Sequence, residues 1–253
     1  MPTSSDARRQ RMRHIRRLTV SAKGLCDKGV GRIATYMTGL IVLGMKDRGM
    51  NITRVDLRCL TRLRRIPPFF LVNAMKLRLL NISGLQGLRA IAQGFLHSCS
   101  NVQRVNLSGL TSLTTVGSNV FTYCSALTSV NVKGAPRLEE IGKGFMYACV
   151  ALQSLDIRGM IGLRKLGDHA LNNCTVLTSM NLSGLIALEE IGQGFMVGCT
   201  SVRMIDLTCL PCLKTIRQGF MDTCMALQSV DLSGMSVLKK IDALAFDCCT
   251  ALT

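Results

Sequence analysis

Cysteines stand at Cys99, Cys124, Cys149, Cys174, Cys199, Cys224 and Cys249, each 25 residues after the one before. A self-similar period of this length is the signature of a solenoid, in which one supersecondary unit is stacked on copies of itself. The same offset divides the chain into eight rungs that start at Ile52, Leu77, Val102, Leu127, Leu152, Leu177, Val202 and Leu227. Each rung of such a stack touches only its neighbours, so stability is close to a sum of rung and interface terms.

The sixth rung, residues 177–201, reads LTSMNLSGLIALEEIGQGFMVGCTS. Its opening L-x-x-L-x-L spacing predicts a short parallel strand repeated once per turn, with Met180 and Leu182 facing the core and Asn181 facing out. Ser183-Gly184-Leu185 predicts a corner, because glycine accepts positive φ without steric cost. Phe195, Met196 and Cys199 fall on one side of a helical turn, which predicts a short helix or helical turn on the convex side. The fold class expected is therefore an α/β solenoid, with a parallel concave β-sheet and short convex helices. The twelfth place of every rung is leucine, from Leu63, Leu88, Leu113 and Leu138 to Leu163, Leu188, Leu213 and Leu238, and the fifteenth is always aliphatic.

Written out, the unit is L-x-x-L-x-L-x-x-x-L-x-x-I-G-x-x-F-x-x-x-C-x-x-L, which resembles the BspA-like (Treponema pallidum-type) leucine-rich repeats over residues 52–251. That resemblance implies a surface or adhesion protein in many cases and supplies no catalytic residues. Residues 27–51 read as a degenerate first repeat or cap, and residues 1–26 as a basic arm, disordered on its own because its charges repel and apolar residues are few. Leu252-Thr253 opens a ninth rung, so an apolar carboxyl end is expected, with three readings: a piece of a longer array, end-to-end self-association, or a partner that covers the end.

The formal net charge of +16 is uneven: residues 1–76 hold 17 Lys/Arg against 4 Asp/Glu, and the rest hold 14 against 11. The arm carries Arg8, Arg9, Arg11, Arg13, Arg16 and Arg17. Three readings fit it: a solvated tail, a mitochondrial presequence with Met12, Ile15 and Leu18 on one side, or an electrostatic hook for nucleic acid or an acidic protein. The longest apolar run, Gly39 to Met45, falls well short of the roughly 20 residues a bilayer needs. No apolar segment follows the first basic residues, so an intracellular location is expected, cytoplasmic first, with mitochondrion or nucleus allowed by the arginines.

The periodic cysteines occupy equivalent interior places, where cysteine behaves as a small apolar filler. Rungs are expected to diverge on a convex side, beyond the ~7 Å Cα separation that a disulfide can bridge, so these thiols are expected reduced. Cys209 and Cys212 form a C-x-x-C with no second pair and no redox context, and Cys248 adds a thiol beside Cys249. His14, His97 and His169 lie in unrelated registers, and no nucleotide, zincin or hydrolase motif occurs. No cofactor and no metal are expected.

Candidate binding residues line the expected concave sheet. The fifth place is always Asp or Asn: Asp56, Asn81, Asn106, Asn131, Asp156, Asn181, Asp206 and Asp231. This column reads either as a ladder of side chains bonded from rung to rung, or as a site at the stacked Asp206/Asp231 for a cation or a basic peptide. Outward cations Arg54, Arg58, Arg104, Lys133 and Arg158 flank it and thin out toward the carboxyl end. N-x-[ST] sequons at Asn51, Asn81, Asn106 and Asn181 are read as coincidental, the last three as products of the repeat. The function expected is a non-enzymatic scaffold that binds protein on its concave face. The alternatives are a nucleic-acid-associated or organellar assembly factor that uses the arm, or a surface antigen as the resemblance implies.

Overall fold

A computed structural model describes residues 52–253 and the backbone of Arg17–Thr19. The rest of the arm and the whole of the expected cap, 27–51, lie outside the described residues. Each rung contributes one three-residue and one two-residue strand. The longer strands are β2 (Arg54–Asp56), β4 (Leu79–Asn81), β6 (Arg104–Asn106), β8 (Ser129–Asn131), β10 (Ser154–Asp156), β12 (Ser179–Asn181), β14 (Met204–Asp206) and β16 (Ser229–Asp231). The shorter are β3 (Arg65–Ile66), β5 (Ala90–Ile91), β7 (Thr115–Val116), β9 (Glu140–Ile141), β11 (Lys165–Leu166), β13 (Glu190–Ile191), β15 (Thr215–Ile216) and β17 (Lys240–Ile241). In the arm, β1 (Arg17–Thr19) pairs in parallel with β2, Arg17 opposite Arg54.

Pairing is parallel and offset by one repeat. Arg54 lies opposite Leu79, Leu79 opposite Arg104 and Arg104 opposite Ser129. The short strands run Ile66, Ile91, Val116, Ile141, Leu166, Ile191 in the same register. Constant rung length therefore stacks like on like. Leu88, Leu163, Leu188 and Leu213 are fully enclosed, and one continuous apolar core runs from Ile52 to Cys249. The turn glycine is as expected at Gly184, whose φ is +91°.

The expected convex helices are absent: among the described residues there is no helix. The third side of each rung instead has a left-handed residue at every second position. The eighteenth, twentieth and twenty-second places all have positive φ, as in Asn119 (56°), Phe121 (61°) and Tyr123 (58°). The N–H groups of successive left-handed residues point by turns to opposite sides of the chain, so they reach the neighbouring rungs in place of an i→i−4 partner. Asn119 N–H donates to Lys143 O at 2.7 Å and Tyr123 N–H to Tyr147 O at 2.8 Å, both one rung on; Phe121 N–H donates back to Phe95 O at 3.0 Å. The pattern recurs along the stack, as in Met196 to Ala170 (3.0 Å) and Gly198 to Asp222 (2.9 Å). This makes a third ladder, and the buried Phe and Met side chains on it offset the cost of a left-handed backbone.

That ladder corrects the expected reason for unbridged cysteines. The third side is laced as closely as the strand faces, so its rungs do not splay. Each periodic thiol is committed instead to a carbonyl of the previous rung. Cys99 Sγ lies 2.8 Å from Leu71 O, Cys124 Sγ 3.1 Å from Leu96 O and Cys149 Sγ 3.1 Å from Phe121 O, with Cys174, Cys199, Cys224 and Cys249 alike. The carbonyl belongs in each case to the left-handed twentieth residue.

Glycine at the sixteenth place has a different task. Gly117, Gly142, Gly167 and Gly192 do not have positive φ; a Cβ on Gly167 would sit 2.5 Å from Lys143 N and 2.6 Å from Gly142 C. In these four rungs the absent Cβ lets the two backbones come this close, whereas Pro67, Ala92, Arg217 and Asp242 hold the same place elsewhere in the stack.

Candidate functional site

The longer strands build the face expected to bind. Their middle residues point inward, and the third, fifth and seventh places point out. The recurrent bond of the Asp/Asn column runs within the rung, not from rung to rung as the ladder expectation had it. In all eight rungs Oδ1 accepts from the backbone N–H two residues on: Arg58 to Asp56 (3.2 Å), Ser83 to Asn81 (3.0 Å), Ser108 to Asn106 (3.0 Å), Lys133 to Asn131 (3.2 Å), Arg158 to Asp156 (3.2 Å), Ser183 to Asn181 (2.9 Å), Thr208 to Asp206 (2.9 Å) and Ser233 to Asp231 (2.9 Å). These are Asx turns that satisfy the backbone where the strand ends. The same oxygens occupy the sequon positions Asn81, Asn106 and Asn181.

Two of the arginines close back on their own column. The Arg58 and Arg158 guanidinium groups each donate to the carboxylate two residues earlier, at 2.8 Å to Asp56 Oδ2 and Asp156 Oδ2. The Arg158 hydrogen bond holds the Asp156 carboxyl down at about 2. Asp206 and Asp231 are register partners, yet Asp231 is shifted down, because the Ser233 N–H and hydroxyl favour its charged form. Arg54 and Arg104 lie on the face without an ion-pair partner among the described residues, separated by Leu79.

The outward surface divides along the stack. Rungs 1–3, residues 52–126, hold nine Lys/Arg and one carboxylate, Asp56; rungs 4–8 hold eleven of each. On the short-strand face of rungs 5–7 the charges interlock, Arg164 with Glu189 (3.1 Å), Lys214 with Glu189 (3.8 Å), Lys165 with Glu190 (3.6 Å) and Arg217 with Glu190 (3.0 Å). Sequence reasoning missed an apolar stripe at the tenth place, in the turn between the two strands. Ile161 and Ile186 are 50% and 58% exposed, in stacked rungs, and Pro136 and Pro211 continue the line on either side. Met204, at the outward third place of its rung and the start of β14, is 68% exposed. The signal was available, since most other rungs have Thr, Gln or Ser at the tenth place.

Thiol chemistry is muted. Burial pushes Cys124, Cys174 and Cys224 up to about 12, and the others of the column upward as well. Cys209 and Cys212 are half-buried, and Cys209 donates to Asp206 O at 3.5 Å. Cys248 is exposed and grouped with Asp222 and Asp247, and the Asp247 charge raises its pKa. His97 packs edge-on to Tyr123 with ring centroids 5.8 Å apart, and burial lowers its pKa. His169 is the left-handed eighteenth residue of its rung. The periodic groups converge on no common point. Among the described residues no helix is long and apolar enough to cross a membrane.

Comparison with known proteins agrees with this architecture. The BspA type leucine rich repeat region matches residues 51–176 and 139–253, in 6 copies. Among solved structures, the leucine rich repeat protein of T. pallidum is similar with a TM-score of 0.56 and 20% identity, over 69% of this chain and 78% of that one. A leucine-rich repeat protein from Eubacterium ventriosum gives a TM-score of 0.50 at 16% identity, over 80% of this chain and 55% of that one. Both are likenesses of fold. No curated protein matches the chain.

Proposed function

Because the chain belongs to the BspA-type leucine-rich-repeat family, we propose that it is a non-enzymatic scaffold that captures a protein partner on the long-strand face of rungs 4–7. The observation that carries this reading is the apolar stripe. Solenoid side chains repeat, so no rung offers a unique pocket, and binding must draw on a surface that several rungs share. Ile161, Ile186 and Met204 supply exposed apolar area beside that face. Lys133, Asp156, Arg158, Asp206 and the Asn131 and Asn181 turns, at the fifth and seventh places, add polar and charged groups between the third-place methionine and the tenth-place isoleucines. Exposed apolar side chains set beside polar and charged groups suit a protein interface.

The test is affinity capture from the native cell with the wild-type chain and with Ile161→Asp/Ile186→Asp/Met204→Asp. Loss of a hot-spot cluster costs about 2 kcal/mol or more, so binding to the captured partner should weaken roughly thirty-fold. Equal recovery by the two chains, at equal urea midpoints, would contradict the proposal.

A further inference from the structure

The amino-terminal rungs show a different chemistry from that interface. At the thirteenth place, rungs 5–7 alternate Arg164, Glu189, Lys214 and form cross-rung ion pairs. Rungs 1 and 2 put Arg64 directly beneath Arg89 at the same place, and their backbones are joined, Arg89 N–H to Arg64 O at 2.8 Å. Stacked rungs are about 4.8 Å apart, where like charges repel. Arg64 Nη1 is held by Gly87 O at 3.1 Å, and Arg62, Arg65 and Arg89 have no ion-pair partner among the described residues. Around the corner, Arg54 and Arg104 stand on the long-strand face. All six are exposed, and Asp56, the only carboxylate of these three rungs, is engaged by Arg58.

We infer that the two strand faces of rungs 1–3 form a docking surface for the phosphate backbone of a double-stranded nucleic acid, with Arg54, Arg62, Arg64, Arg65, Arg89 and Arg104 as the phosphate ligands. Three observations select this partner. The cations are arginines, whose planar fork suits phosphate oxygens. Between them lie hydroxyls and amides such as Ser83, Asn106, Ser108 and Thr114, the groups that with arginine make most contacts to a sugar–phosphate backbone. The large exposed apolar side chains of these rungs, Phe69, Met75 and Tyr123, are all on the third side; with half-buried Leu79 between Arg54 and Arg104, the strand faces still lack the broad apolar centre of a protein interface and the aromatic platform that single strands stack upon. A duplex hides its bases and presents charge every ~3.4 Å along each strand, a spacing of the same order as the rungs. This surface lies on other rungs than the protein-binding stretch, so either reading can fail alone.

Fluorescence anisotropy with the full chain and a labelled DNA duplex of about 24 base pairs, over a range of salt, tests this. Each phosphate neutralised contributes about −0.9 to the slope of log K against log salt. Arg62→Gln/Arg64→Gln/Arg65→Gln/Arg89→Gln should flatten the slope by about 3.6 and weaken binding at least thirty-fold at 0.1 M salt. The four Arg→Lys changes should keep most of the slope. A control set on the balanced rungs, Arg137→Gln/Lys143→Gln/Arg203→Gln/Lys239→Gln, should keep slope and affinity near wild type. Urea midpoints of all chains confirm folding. The inference is overturned if the rung variant keeps the wild-type slope, if Arg8→Gln/Arg9→Gln/Arg11→Gln/Arg13→Gln in the full chain alone abolishes binding, or if oligo(dT), a poly-Glu peptide or phosphatidylserine vesicles bind more tightly than the duplex at equal salt.

Discussion

Two kinds of glycine with opposite requirements sit in one repeat. Gly84 has a φ of +72° and open space around its missing Cβ, whereas Gly167 has no positive φ and a backbone in the way. Gly84→Ala should therefore cost about 1 kcal/mol, from left-handed strain alone. Gly167→Ala should cost about 2–3 kcal/mol, because two rungs must move apart. Urea unfolding of the two variants measures the difference, and equal shifts would mean that the rungs are looser than described. The corner at Gly184 was legible in the sequence, since Ser-Gly between apolar runs names a turn. The Asp/Asn column was legible as a column, but not in its bonding. An Asp or Asn can look along its own rung or across to the next, and a pattern at an offset of 25 is silent about a bond at an offset of two.

At the scale of the element, the third side was the part read wrongly. Phe195, Met196 and Cys199 have the spacing of one helical face, and the twentieth place is Leu, Phe or Met in every rung, so no obligatory glycine announced its left-handed backbone. The thiol column that closes this side should make stability depend on alkaline pH. A folded pKa raised from 9.0 to about 12, as for Cys124, means that the unfolded chain releases its proton first. The stability such a thiol provides is whole below about pH 9 and is lost as pH rises toward 12, at about 1.4 kcal/mol per thiol per pH unit. Urea midpoints should be flat from pH 6 to 8 and fall steeply above 9, and Cys124→Ala should make the fall shallower. In native protein at pH 8 the column should resist iodoacetamide, while exposed Cys248 is modified.

For the whole molecule, the stacking of like on like was plain from the constant 25-residue offset, and the leucines of the twelfth place do superimpose. Leu163→Ala, at a fully enclosed position, should cost about 2–5 kcal/mol through lost burial and a cavity. The damage should stay near rungs 4–6, since each rung leans only on its neighbours. Hydrogen exchange that rose equally at Ile66 and Ile216 would contradict that. The division of the surface was half legible. The excess of arginine toward the amino end could be counted, and the tenth place already set Ile161 and Ile186 apart from the Thr, Gln and Ser of other rungs, but only their exposure showed them to be an outward stripe. Two neighbouring stretches of one scaffold thus present unlike chemistry, one arginine-rich and one apolar with a balanced rim.

The central claim is that the third side of each rung, built on alternating left-handed residues, is a hydrogen-bonded ladder in its own right, which runs on where the strand ladders break between β8 and β10, β12 and β14, and β13 and β15. Amide hydrogen exchange resolved to single residues tests it most directly. The N–H groups of Leu96, Phe121, Met146, Leu171 and Met196, each bonded to the preceding rung, should exchange as slowly as those of Ile82 and Leu107 on the long-strand side. Exchange of the first group at the rate of open turns, with the second still protected, would contradict the account.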